Sequence, residues 1–292
     1  MRIGYVLPMG DDTRPGVPAS PAELVALARE VEAAGLDSVW TFDHLLVQES
    51  PDAPPAGTWE AWTVLTAIAA QTSRVGLGVL VSCTGFREPI VTAKIAHTLQ
   101  ELSDGRLTLG LGAGWHEPEY RAFGIPFDHK VDRFAEAMEV ITALIKQGRS
   151  DFTGTYHRTV DAPLLPAVPG RARPPILVGG RGPRMLGLIA RYADVWNTAW
   201  FGTPGPKFEQ SREKMLAACA EQGRDPKTLQ VSVGVYVKSP DAEADAPGVV
   251  GDVDALADAI AAWRAEGVAE ILFWMDPPTH AGLADLAKAM QR

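Results

Sequence analysis

The chain has 292 residues, 46% hydrophobic against 22% charged, a globular balance that excludes disorder and coiled coil. Its formal net charge of −9 excludes a broadly basic surface for nucleic acid or anionic membranes. No window of about 18 residues is continuously apolar, and Met1–Pro8 gives way to Asp11-Asp12 too soon for a signal peptide. Cys83 and Cys219 are too few for a disulfide framework, so the expectation is a soluble cytoplasmic protein without nucleic-acid or membrane partners.

In chain order, Ile3–Leu7 is a short apolar strand followed by a Gly/Asp/Pro-rich loop to about Ala19. Ser20 caps a helix, with Pro21 at its first position and Glu23 completing a capping box. Leu24, Leu27, Ala28, Val31 and Ala34 recur at helical spacing before Gly35, and Ser38–Phe42 is the second strand. The pattern repeats: helix 59–72, strand 75–83, helix 90–102, strand 106–112, then a long amphipathic helix carrying Phe134, Met138 and Ile141 and closed by Gly148. Strands 175–178, 195–198, 231–237 and 270–275 follow, the last two separated by a helix carrying Leu256, Ile260 and Trp263.

Eight strands alternating with eight helices imply parallel pairing through right-handed crossovers, and eight units in this length match a (β/α)₈ TIM barrel in one domain, 1–292. The surplus lies in an insertion of about 148–174 before the fifth strand and in a loop or lid at about 239–251. An open doubly wound sheet is the rival, but it favours a glycine-rich first turn, where this chain has Pro8-Met9-Gly10-Asp11.

Active sites of such barrels gather at the C-terminal strand ends. Those ends carry Asp43-His44, Ser82-Cys83-Thr84, Gly112-Ala113-Gly114-Trp115-His116, Gly179-Gly180-Arg181-Gly182, Asn197–Phe201 and Trp274. The turn Gly179–Gly182 precedes a helix starting near Pro183, an arrangement that presents backbone N–H groups and a helix dipole to a phosphate, with Arg181 beside it. A tight structural turn needs the same glycines. Gly110-Leu111-Gly112-Ala113-Gly114-Trp115 is a poor dinucleotide fingerprint, because Trp115 stands in place of the third glycine. Small residues there instead let a flat ring lie against the strand end, beside Trp115. His44 suits proton transfer or a bond to a cofactor ring, or else a structural role. No metal-ligand spacing occurs, and no pattern supports Cys83 as a nucleophile.

Trp40-Thr41-Phe42-Asp43-His44-Leu45, Phe86-Arg87-Glu88-Pro89, Leu109–Trp115 and Val178-Gly179-Gly180, in this order, resemble the bacterial-luciferase-like flavin and deazaflavin oxidoreductase superfamily over nearly the whole chain. The Asp-His pair is similar to the branch using coenzyme F420, a deazaflavin. The resemblance implies His44 as the catalytic residue and a non-prolyl cis peptide at Leu80-Val81 behind the ring, with Cys83 near it. It implies a cofactor site of Asp43, Leu80, Val81, Cys83, Gly112, Gly114, His116, Gly179, Gly180, Arg181 and Gly182, and a homodimer. The chain departs from the sugar-phosphate dehydrogenases of that branch at Ala113 and Gln48, and has no lysine among Asn197–Phe201. Trp115, Trp200, Phe201 and Trp274 instead indicate an apolar or aromatic small-molecule substrate, or else belong in part to the core. The expected activity is F420-dependent hydride transfer; the alternative is an FMN-dependent monooxygenase served by a separate reductase.

Overall fold

The computed structural model describes residues 1–10, 19–48, 50, 52–239 and 248–292. Ser20 accepts from Glu23 N–H while the Glu23 carboxylate accepts from Ser20 N–H, the expected capping box at the start of α1 (Pro21–Ala33) after β1 (Arg2–Val6). Then follow β2 (Ser38–Thr41), the short pair β3 (Leu46–Val47) and β4 (Ala56–Gly57), α2 (Ala61–Gln71), β5 (Gly76–Val79), β6 (Ser82–Cys83) and α3 (Pro89–Leu102). Next come β7 (Leu107–Gly112), α4 (Glu117–Phe123), α5 (Lys130–Gln147), the hairpin β8 (Arg149–Thr153) and β9 (Arg158–Pro163), β10 (Ile176–Gly179) and α6 (Pro183–Tyr192). The chain ends with β11 (Val195–Phe201), α7 (Pro206–Glu221), β12 (Gln230–Lys238), β13 (Val249–Val250), α8 (Val253–Ala265), β14 (Glu270–Asp276) and α9 (His280–Ala289).

The order β10-β11-β12-β14-β1-β2-β5-β7 closes by β7–β10 pairing, and every pair in the ring is parallel. This is the (β/α)₈ TIM barrel. Strands covered on both faces read as nearly unbroken apolar runs, and every residue of β2 and β7 is buried. At the barrel's other end, Glu270 accepts from Ser38 Oγ and pairs with Arg2, so a buried carboxylate closes that end with partners on β1 and β2.

Three features differ from the sequence reading. The Pro- and Gly-rich insertion expected at about 148–174, for which no strands were assigned, contains the antiparallel β8–β9 hairpin. A short extra helix, α4, lies between β7 and α5. Of the loop expected at about 239–251, residues 240–247 lie outside the described residues, and Val249–Val250 add a strand to β12.

Candidate active site

The strand ends build one cavity of about 560 Å³, lined from β2 by Asp43 and His44, from the β5–β6 junction by Leu80, Val81 and Cys83, and from β7 by Gly112–Trp115. Glu119 comes from α4, Gly179–Arg181 follow β10, and Asn197–Trp200 end β11. The Leu80-Val81 peptide is cis, as expected, and so is Ala199-Trp200, which no sequence pattern signals.

His44 directs Nδ1 to Glu119 Oε1 at 3.0 Å, and its Nε2 has no protein partner among the described residues. Glu119 Oε2 accepts from Leu45 N–H at 2.8 Å. The exposed Trp115 packs edge-on to His44 at 5.6 Å, and Phe42 flanks the imidazole at 6.0 Å.

Asp43 has a different environment from its neighbour. Its carboxylate accepts from Ser82 Oγ, Cys83 N–H and both terminal nitrogens of Arg87, at 2.6–3.0 Å. Three of these bonds fall on Oδ2 and one, from Arg87, on Oδ1. Burial disfavours the Arg87 charge, yet Asp43 and Glu60 outweigh it and raise its pKa. Asp43, expected as a cofactor ligand, lines the cavity and also braces β6 against the end of β2.

His116, also read as a cofactor ligand, lies behind His44 instead of lining the cavity. It is buried, and its Nε2 accepts from Gln48 N–H at 3.0 Å. Burial, with His44 as a like-charged neighbour, depresses its pKa, and Glu119 opposes this.

Cys83 touches Tyr120 Oη at 2.8 Å, and that hydroxyl donates to Ala113 O at 3.2 Å. Burial foremost pushes the thiol up to about 11, which suits a packed, protonated cysteine. Gly112, at the end of β7, and Gly114, just beyond it, also have packing reasons. A side chain at Gly112 would come within 2.5 Å of Val81, and one at Gly114, where φ is +76°, would overlap Tyr120. No ring is needed to explain them.

The Gly179–Gly182 turn ends on α6, whose N-terminus has no side-chain cap. A side chain at Gly180 would press on Met185 at 3.0 Å, whereas Gly182, at φ −70°, faces open space. Thr198 Oγ1 on the cavity wall is buried without a hydrogen-bond partner among the described residues. This unsatisfied hydroxyl, the open helix N-terminus and the small residues on the wall fit a flat polar cofactor with a phosphate.

Trp200 and Arg181 also line a second cavity of about 940 Å³, with Phe201, Phe208, Tyr236 and Lys207 among its walls. Trp274 lines neither cavity and stacks on Phe42 at 5.3 Å, beneath Trp200. The sequence reading placed Trp115, Trp200, Phe201 and Trp274 around one substrate; the structure distributes them between a rim, a shared wall, the second cavity and the supporting layer. It missed Glu119, Tyr120 and Lys207. For Glu119 the only local signal is its place in the first turn of the helix that begins at Glu117-Pro118.

Residues 1–260 match the model of the luciferase-like monooxygenase family. The chain is 34% identical over 256 residues to the phthiodiolone/phenolphthiodiolone dimycocerosates ketoreductase of Mycobacterium kansasii, covering 80% of this chain and 69% of that protein. It is 33% identical over 255 residues to the F420-dependent hydroxymycolic acid dehydrogenase of Mycobacterium tuberculosis, covering 82% of this chain and 62% of that protein. Among solved structures, an F420-dependent secondary alcohol dehydrogenase in complex with an F420-acetone adduct superposes with a TM-score of 0.81 at 19% identity, over 99% of this chain and 97% of that one. With the closed parallel barrel and its strand-end cavity, these matches establish that the chain belongs to the luciferase-like monooxygenase family.

Proposed function

We propose that the chain is an F420-dependent oxidoreductase acting between a secondary alcohol and the corresponding ketone on an apolar carbon skeleton. The observation that carries this reading is the cavity that joins a glycine turn and a helix N-terminus without a side-chain cap to an imidazole whose Nε2 has no partner among the described residues. The named relatives, a ketoreductase and an F420-dependent hydroxymycolic acid dehydrogenase, support the cofactor and the oxygen chemistry.

Backbone N–H groups of Gly180–Gly182 and the first turn of α6, with Arg181 alongside, would hold the phosphate of F420. Val81, Gly112 and Gly179 on the cavity wall would hold its ring. The bound deazaflavin supplies or accepts a hydride. His44 Nε2 holds the proton that the substrate oxygen loses as it becomes a carbonyl, or returns it in the other direction. Trp115 and Trp200 give the cavity wall apolar surface beside the reacting carbon, and the second cavity accommodates the rest of the skeleton. The relatives' names provide the support for a ketone or hydroxyl, and the aromatic walls support its apolar surroundings.

The test is His44→Ala, assayed for turnover with F420 and a series of secondary alcohols and for F420 affinity. The expected result is a fall in kcat of roughly 10²–10⁴-fold, the usual contribution of an acid–base group, with F420 affinity within about threefold. Turnover retained within about threefold would return His44 to a structural role.

A further inference from the structure

Four histidines lie within ion-pair range of a carboxylate among the described residues. The partners of His129, His157 and His280 are exposed at the surface, where such pairs contribute little. The partner of His44 is different: the Glu119 side chain is 2% exposed and comes from a helix 75 positions further along the chain. We propose that Glu119 is a positioning residue, which fixes His44 as its Nδ1–H tautomer and aims an unprotonated Nε2 into the cavity. This rests on the acid–base reading of His44.

Glu119 Oε2 is committed to Leu45 N–H at 2.8 Å, and rotation of the carboxylate would strip that amide of its partner. Oε1 is thereby directed at Nδ1, 3.0 Å away, and a carboxylate can only accept. Which imidazole nitrogen carries the proton is set by the partner of the other. Holding Nδ1–H leaves a lone pair on Nε2, the state needed to take a hydroxyl proton. The surroundings restrict the ring as well: Trp115, His116 and Phe42 pack edge-on around it at 5.6–6.0 Å. His116 Nε2 is already occupied by Gln48 N–H.

A glutamine at 119 would present one oxygen and one NH₂ to two donors, Leu45 N–H and His44 Nδ1–H. If the oxygen stays on Leu45, the NH₂ faces Nδ1, and His44 must place its proton on Nε2. The test uses full-length, cofactor-free protein with ¹⁵N-labelled imidazoles, read by two-bond proton–nitrogen correlation, with His44 assigned against His44→Ala. Above the titration range of the ring, the wild type is expected to show protonated Nδ1 and unprotonated Nε2. Glu119→Gln is expected to move the proton to Nε2 and to lower kcat roughly 10²-fold, with substrate KM within about threefold. Glu119→Asp, which keeps the charge, should recover part of both. An Nε2–H wild type would overturn the assignment. If Glu119→Gln fails to fold, the wild-type tautomer alone decides. The two readings fail separately, because turnover of His44→Ala tests the acid–base role and the cofactor-free tautomer tests Glu119.

Discussion

Replacing Asp43 by alanine separates a structural brace from a cofactor ligand. The substitution removes the carboxylate that accepts from Ser82, Cys83 and Arg87. Deleting one partner of a buried ion pair costs about 3–5 kcal/mol, because the other charge is left behind. Arg87 keeps a second carboxylate, Glu60 at 2.6 Å, so the lower end applies, about 3 kcal/mol. For a chain of this size about 2 °C of melting temperature accompanies each kcal/mol, which gives a fall of about 6 °C. The assay is thermal unfolding followed by far-ultraviolet circular dichroism, with Glu60→Gln as the control. Glu60 is half-exposed, and its loss should shift the melt by only about 1–2 °C. An Asp43→Ala melt within about 2 °C of wild type would refute the brace.

Two further outcomes follow from the same site. Cys83, pushed up to about 11, is only about one part in a thousand thiolate at pH 8. Iodoacetamide at that pH should leave it unmodified in the folded protein, as read by peptide mass mapping, and rapid labelling would contradict its burial. At the anion site, Gly182→Val is cleaner than a change at Gly180, because a side chain at 182 meets open space while one at 180 meets Met185. Gly182→Val should leave the melting temperature unchanged and weaken F420 binding about tenfold, within the range for an anion at a helix N-terminus. Unchanged affinity would mean that the phosphate binds elsewhere.

The barrel was legible because its strands announce themselves. Ile176–Val178 and Leu107–Gly112 are apolar runs bounded by Pro, Gly and charged residues, as strands buried on both faces must be. The β8–β9 hairpin was not, since Arg149–Thr153 and Arg158–Pro163 are polar, partly exposed and held chiefly by backbone pairing. Within the site, the strand-end rule located His44 and the glycine turn. It could not distinguish Asp43 from His44, adjacent residues whose side chains meet different partners. Nor could it find Glu119: local patterns report neighbours within a turn of helix or strand, whereas this contact joins residues 75 positions apart, at the end of β2 and on α4. Gly112 and Gly114 show the same limit, since their reason lies in Val81 and Tyr120 on other segments.

The central claim is most directly tested by titrating the purified protein with F420 and, separately, with FMN while following tryptophan fluorescence. Trp115 and Trp200 lie on the cavity wall and report its occupancy. The account predicts saturable quenching by F420 and binding of FMN at least about tenfold weaker. Tighter binding of FMN than of F420 would contradict it, and would favour the flavin-dependent monooxygenase chemistry after which the family is named.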